Sequence, residues 1–230
     1  MSEVTACIPT WNEEQYIGHC LNCLRDKIDY IIILDEASTD RTLEIVQKTL
    51  EGFDYKVVRR TENRFFEKHS EERNYLTSLA PTDWVLHSDA DELWLPELLE
   101  KGKEIIKVGL ESCDPSVAAY RFPRINLPDF YNYPDYQVRL FNKDRVKWVG
   151  SIHQIPIDII TGKQIDQGNC IVSLPYPILH LPRTLDRQLK NYIKFTEENL
   201  KYLELDKDSR SRKERIESMR NDLGALMRRF

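Results

Sequence analysis

The chain has 230 residues, enough for one large domain or a domain with an appendage. Its 33 Lys and Arg stand against 38 Asp and Glu, a net charge of −5, which gives no electrostatic reason to expect nucleic acid as a partner. Hydrophobic content of 41% with 31% charged residues fits a folded soluble domain, and only 8 glycines argue against machinery built on glycine-rich phosphate loops.

The longest wholly apolar run is Ile31-Ile32-Ile33-Leu34, far short of the roughly 20 residues of a membrane span. The start, Met1-Ser2-Glu3-Val4, lacks the basic and apolar regions of a secretory signal. The 5 cysteines are odd in number and scattered, which suits a reducing compartment, so the expectation is cytoplasmic. Cys20 and Cys23 form a lone CxxC, which reads as one face of a helix.

Strand and helix alternate through the first half. Val4–Ile8 is a short β-branched run. Ile17, Cys20, Leu21 and Leu24 then follow helical spacing. Tyr30–Leu34 has the continuous apolar character of a strand buried on both faces. Asp40 is placed to cap a helix carrying Leu43, Val46 and Leu50. Tyr55–Val58 is a third strand, Ser70 is placed to cap a third helix, and Trp84–His87 is a fourth strand. This order predicts an α/β fold: an open, mostly parallel twisted sheet flanked by helices. After Pro96 a helix is expected to about Gly109. Short β-like runs follow at Ala119–Phe122, Gln137–Phe141, Val146–Val149 and Cys170–Leu174, an added antiparallel region. Helical spacing returns from Leu185. The expected division is residues 1–183, with halves 1–95 and 96–183, followed by a helical extension over 184–230.

Ligands of such sheets bind at the carboxyl ends of the strands. The first strand ends in Pro9-Thr10-Trp11-Asn12-Glu13, with no glycine before Gly18, so a GxGxxG dinucleotide site is excluded. Pro9 and Thr10 make a stiff turn suited to facing a flat base, while Asn12 and Glu13 either cap the next helix or help to hold a ligand. Asp35 emerges directly from the apolar second strand, where an acid meets ribose or base groups or caps the following helix. The fourth strand runs into His87-Ser88-Asp89-Ala90-Asp91-Glu92. In an extended segment Asp89 and Asp91 point to one side, and two carboxylates held that close call for a cation. Oxygen ligands of this kind suit Mg2+ or Mn2+, with phosphate oxygens and water completing the shell.

Pro9–Glu13, Ile31–Asp35 with Ser38–Thr42, Arg73-Asn74, and Trp84–Leu86 leading into Asp89–Glu92 together resemble the family 2 glycosyltransferases of the GT-A fold. The likeness continues thinly through Asp135–Phe141, Gly150–Gln154 and Ile178–His180. It implies inverting transfer of a sugar from a nucleotide-sugar donor to an acceptor hydroxyl, assisted by a divalent metal. In that reading Pro9, Thr10, Asn12, Glu13 and Asp35 surround the nucleoside. Asp89 and Asp91 hold the metal, and Arg73 and Asn74 face the diphosphate or base. A late histidine, His180, either completes the metal shell or is structural. UDP is the commonest donor nucleotide of such enzymes, with GDP and dTDP open.

The acceptor needs a base from the later half. Gln154 stands where relatives often carry Glu and cannot take a proton. Asp135 and His153 are therefore the candidates, with Glu92 behind them. Arg139 either supports the acceptor side or pairs with an acid. Tyr131, Tyr133 and Tyr136 offer faces for sugar stacking or simply bury loop area. A glycan, a lipid-linked molecule or a protein is the expected acceptor. The basic-flanked final helix suggests packing on the domain, peripheral membrane contact or self-association. The alternatives are a sugar-phosphate nucleotidyltransferase, whose glycine- and arginine-rich loop is absent after the first strand, and a non-catalytic nucleotide-sugar or glycan-binding module.

Overall fold

A computed structural model describes residues 3–64, 68–94, 117–126, 134–150, 154–165, 171–174 and 177–181. These lie in one compact unit, Met1–Pro182; Arg183–Phe230 forms a second. The helices expected after Pro96 and from Leu185 onward, Tyr131, Tyr133 and His153 lie outside the described residues.

The first half follows the alternation in the sequence: β1 (Val4–Thr10), α1 (Ile17–Leu24), β2 (Tyr30–Asp35), α2 (Thr42–Thr49), β3 (Tyr55–Arg59), α3 (His69–Ser78) and β4 (Trp84–His87). β3, β2, β1 and β4 lie side by side, all parallel. The side-chain period of two divides the core. Ile8, Ile31, Ile33 and Leu86 pack with Ile17, Leu21 and Val46 of α1 and α2, whereas Cys7, Ile32, Leu34 and Val85 pack with Leu76 of α3. Residues Ile31 to Leu34 are completely buried, and each such side chain contributes roughly 1.5–3 kcal/mol. Cys20 and Cys23 sit on α1 as free thiols, both pushed up by burial.

Ser70 does not cap α3. The helix begins one residue earlier, and the Ser70 hydroxyl instead donates to the Gly150 carbonyl. Asp40 is not the N-cap of α2 either: Arg41 takes that position, and Asp40, one residue earlier, accepts the Thr42 N–H on Oδ1 at 2.9 Å.

The second half adds β5 (Glu92–Trp94), β6 (Ala119–Asn126), β7 (Asp135–Asn142), β8 (Val146–Val149), β9 (Ile155–Asp158), β10 (Ile171–Ser173) and β11 (Ile178–His180). Most of these extend the same sheet, in the order β3-β2-β1-β4-β7-β6-β11-β5, with β10 also on β6. β8 and β9 form a separate ribbon, tied to α3 because the Asn74 amide donates to the Trp148 carbonyl at 2.8 Å and accepts its N–H at 2.9 Å.

Direction then determines what meets at one rim. β7 is antiparallel to β4, so its first residues lie at the carboxyl end of the parallel strands. β6 is antiparallel to β7 and ends there, with Arg124 opposite Asp135. β11 runs parallel to β6, placing His180 beside Asn126, and β5 places Glu92 on the other side of His180. Asp35, Asp89, Asp135, Asn126, His180 and Glu92 thus share one edge.

Candidate functional site

The turns after β1 and β2 are bracketed to each other. Asn12 donates its N–H to Ser38 Oγ at 2.9 Å and accepts the Thr39 N–H on Oδ1 at 2.8 Å. The Glu13 N–H donates to Thr42 Oγ1 at 2.7 Å, and the Glu13 carbonyl accepts from Tyr16 and Ile17 at the start of α1. Asn12 and Ala37 both adopt left-handed backbone, φ 54° and 60°. Asn tolerates that region; for Ala it is strain of the kind held at functional turns. Pro9 and Thr10 are buried at the end of β1, where the Thr10 carbonyl accepts the Glu36 N–H at 2.9 Å.

Two unused acceptors lie at the tip of β2. Asp35 is fully buried; its Oδ2 accepts the Ser38 N–H at 3.2 Å and faces Arg59 Nε at 3.3 Å, while Oδ1 is buried with no hydrogen-bond partner. Glu36 Oε2 accepts the Arg64 N–H at 2.8 Å, and Oε1 is likewise buried and unpartnered. Burial lifts the Glu36 carboxyl to about 7, with Glu72 and Asp35 adding to the rise and the Arg64 N–H and Arg60 opposing it. A buried acceptor left without a donor costs about 1–3 kcal/mol, so these oxygens suit donors brought by a ligand. Asp35 is marked by its place at the end of an apolar strand; Glu36 is not among the expected site residues, and its only signal in the sequence is that it is a second acid directly after Asp35.

Asp89 and Asp91 do not share one environment. The strand ends at His87, and a turn closes from the Asp89 carbonyl to the Glu92 N–H at 3.0 Å, so the two carboxylates do not follow the alternation of an extended strand. Asp89 Oδ1 accepts from Arg73 at 2.7 Å and Oδ2 from Arg139 at 2.8 Å. Burial works to raise its pKa, but these guanidinium groups prevail and hold it well below the usual carboxylate range. Arg139 also grips Glu92, Nε to Oε2 at 2.8 Å and Nη2 to Oε1 at 2.6 Å. Arg139 therefore pairs with acids, and the completely buried Glu92 helps to hold the turn, its Oε2 also accepting the Asp89 N–H at 3.2 Å.

Arg73 donates Nη1 to His87 Nδ1 at 3.1 Å. Arginine only donates, so His87 Nδ1 accepts and its proton sits on Nε2, which reaches Thr77 Oγ1 at 2.8 Å. Thr77 returns its proton to the Arg73 carbonyl at 2.8 Å, closing a ring of bonds. Burial, with the charges of Arg73 and Arg139, holds His87 well below its ordinary value and neutral.

At the start of β7, Asp135 Oδ2 accepts from Arg124 at 2.9 and 2.6 Å and from Asn126 at 3.2 Å, and Oδ1 accepts from Gln137 at 2.7 Å. Burial works to raise its pKa, but the Arg124 hydrogen bonds prevail and lower it. Gln154 contacts His69 Nδ1 at 2.6 Å.

Asp91 has the other partner that matters. Its carbonyl accepts the Leu181 N–H at 2.8 Å, and its Oδ2 lies 3.5 Å from His180 Nε2. Among the described residues no cluster of three or more His, Cys, Asp or Glu gathers as a metal site. One carboxylate and one imidazole nevertheless fit Mg2+ or Mn2+ in the way that such ions are held when phosphates and water supply the remaining positions. Adjacent ligands on an ion with bonds of about 2.1 Å stand about 3 Å apart, close to the Asp91–His180 spacing. Asp89, engaged by two arginines, is the poorer ligand of the pair.

An open sheet of this order with its polar residues at one rim is the GT-A architecture. The sequence profile of Glycosyl transferase family 2 matches residues 5–160, and the chain belongs to that family. It is 30% identical over 155 residues to the SPbeta prophage-derived glycosyltransferase SunS of Bacillus subtilis (strain 168), covering 67% of this chain and 35% of SunS. It is 27% identical over 199 residues to a glycosyltransferase of Rickettsia bellii (strain RML369-C), covering 81% of this chain and 62% of that protein. The chain thus spans about a third of SunS and under two thirds of the rickettsial relative. Among solved structures, S. aureus TarS 1-349 in complex with UDP-GlcNAc superposes with a TM-score of 0.57 at 17% identity, covering 86% of this chain and 66% of that one. The mannosyltransferase PcManGT of Pyrobaculum calidifontis, in complex with GDP-Man and Mn2+, gives 0.53 at 19% identity over 96% of this chain and 69% of its own. At these identities the superpositions establish the fold. Among the described residues no helix is long and apolar enough to cross a membrane.

Proposed function

We propose that the protein transfers a sugar, with inversion, from a nucleoside diphosphate sugar to an acceptor hydroxyl, assisted by Mn2+ or Mg2+. The observation that carries this reading is the Asp91–His180 pair set within a rim of arginines. Arg73, Arg124 and Arg139 pair with Asp89, Glu92 and Asp135, and Asp91 adds its charge to the field at Arg139, so among these described groups three cations stand against four anions. A divalent ion would turn this group net positive, which suits a diphosphate. Asp91 and His180 would hold the metal, which when bound would supply charge neutralisation for the departing nucleotide.

Uracil carries an N–H between two carbonyls. The unpartnered oxygens of Asp35 and Glu36 are acceptors for that N–H and for ribose hydroxyls, and they support UDP as the donor nucleotide. Pro9 and Thr10 wall the base, and Arg73, fixed by His87 and Asp89, lies beside the same strand ends. Asn12, Glu13 and Asn74 serve chiefly through the hydrogen bonds that shape the turns and seat the β8–β9 ribbon. Proton removal falls to His153, since Asp135 is committed to Arg124, Asn126 and Gln137 and its lowered pKa makes it a weak base.

The test is a panel of UDP, GDP and dTDP sugars with Mn2+, read by thermal shift and by release of free sugar. Stabilisation and turnover with UDP sugars are expected. No response to any nucleotide with either metal would overturn the reading.

A further inference from the structure

A single buried amide connects the acceptor side of the rim to the metal side. Asn126, 1% exposed at the end of β6, lies between Asp135 and His180. Its Nδ2 is 3.2 Å from Asp135 Oδ2, and its Oδ1 is 3.0 Å from His180 Nδ1. The strand register places it there, since Asn126 and His180 are backbone partners across β6 and β11.

The chemistry of the two ends fixes which way the amide faces. Asp135 is paired with Arg124 and offers only acceptors. An amide oxygen turned toward it would set two acceptors against each other with no proton between them. The NH2 must therefore face Asp135, and the oxygen must face His180. That oxygen in turn requires a donor, so the neutral imidazole carries its proton on Nδ1. Nε2 is left as a bare lone pair, 3.5 Å from the Asp91 carboxylate. Two acceptors facing each other are disfavoured unless a cation lies between them, and a metal-bound histidine is oriented by the hydrogen bond at its other nitrogen.

We propose that Asn126 is a positioning residue that locks His180 as the Nδ1–H tautomer, presenting Nε2 beside Asp91 as a ready metal ligand and tying its orientation to Asp135. This rests on the metal reading given above. It adds that the ligand is pre-oriented before any ion arrives, and that the acceptor-side carboxylate sets the orientation.

The first test uses the metal-free protein. In 15N-labelled full chain at about pH 8, where an ordinary histidine is neutral, ring nitrogen shifts report the tautomer, with His180→Ala assigning the signal. Nδ1–H is expected, and Nε2–H would overturn the proposal whether or not the protein binds metal. The second test compares variants. Asn126→Leu is expected to release the tautomer and weaken Mn2+ binding in the presence of UDP, followed by electron paramagnetic resonance, by about 10–100-fold. Exchanging the two ends, Asn126→Asp together with Asp135→Asn, keeps an acceptor toward His180 Nδ1 without setting two carboxylates against each other, and is expected to restore the Nδ1–H signal. An unchanged tautomer in the leucine variant would overturn the proposal. The wild-type spectrum needs no variant, so a leucine chain that fails to fold leaves the question answerable. An Nδ1–H tautomer with no Mn2+ binding in the wild type would uphold the role of Asn126 and remove the metal reading instead.

Discussion

Arg139 and Glu92 form a two-point ion pair, 2.8 and 2.6 Å, with the Glu92 side chain wholly shielded from water and that of Arg139 nearly so. The same guanidinium holds Asp89, so one side chain of β7 ties down both ends of the turn after β4. Removing one partner of a buried pair strands the other charge, at a cost of about 3–5 kcal/mol. Arg139→Met should lose that much stability in denaturant unfolding. A loss under about 1 kcal/mol would mean that water reaches the pair.

Asp91 is assigned a different role from Asp89. At a hundredfold excess of ligand over Kd, binding adds about 2.7 kcal/mol, a rise of about 5–10 °C for a chain of this size. With UDP present, the Mn2+-dependent part of that rise should vanish in Asp91→Asn while the metal-free Tm changes little. Asp89→Asn should instead lower the metal-free Tm, because it weakens two arginine bonds. Loss of the metal response in Asp89→Asn at unchanged Tm would reverse the assignment.

Steady-state kinetics separate the two base candidates. His153→Ala should lower kcat by about 10²–10⁴-fold with little change in donor KM. Asp135→Asn keeps an acceptor for Arg124 and should lose less. A larger loss of kcat in the asparagine variant would return the base to Asp135.

Two buried groups give stability opposite slopes with pH. His87 is held neutral well below its ordinary value, so the unfolded chain binds more protons below about pH 6.5, and stability falls as pH falls through that point. Glu36 is raised from 4.5 to about 7, so the folded chain binds more protons in that window, and its contribution is lost as pH rises from 4.5 to 7. Each reaches at most about 1.4 kcal/mol per pH unit. They offset one another between about pH 5 and 6.5, so Glu36→Gln should steepen the acid-side loss seen in melts. A shallower loss in that variant would contradict the sign given for Glu36.

The parallel half was legible because its signals are local. Ile31–Leu34 reads as a buried strand from composition, and the helical stripe of Ile17, Cys20, Leu21 and Leu24 names its own face. What sits at the strand tips followed from topology, which marked Asp35, Asp89 and Asp91; His180 was marked by the family resemblance alone. Their partners were less legible. Arg139 lies 47 residues from Glu92 and 50 from Asp89, and such pairings depend on the antiparallel register of β7 against β4. The shared side of Asp89 and Asp91 failed because the chain turns where period-two reasoning assumed extension. Asn126 carried no signal of its own until β11 was seen lying beside β6.

The reversal of direction at β7 also separates two kinds of tolerance to change. The connection from Asn126 to Asp135 leaves and re-enters the sheet at the polar edge, whereas the tight turn from Asn142 to Val146 closes at the far one. Insertions and deletions in the former change what borders the polar edge while the hydrophobic layers stay as they are. Diverging lineages would therefore accumulate length differences on that side and leave the opposite turn almost untouched.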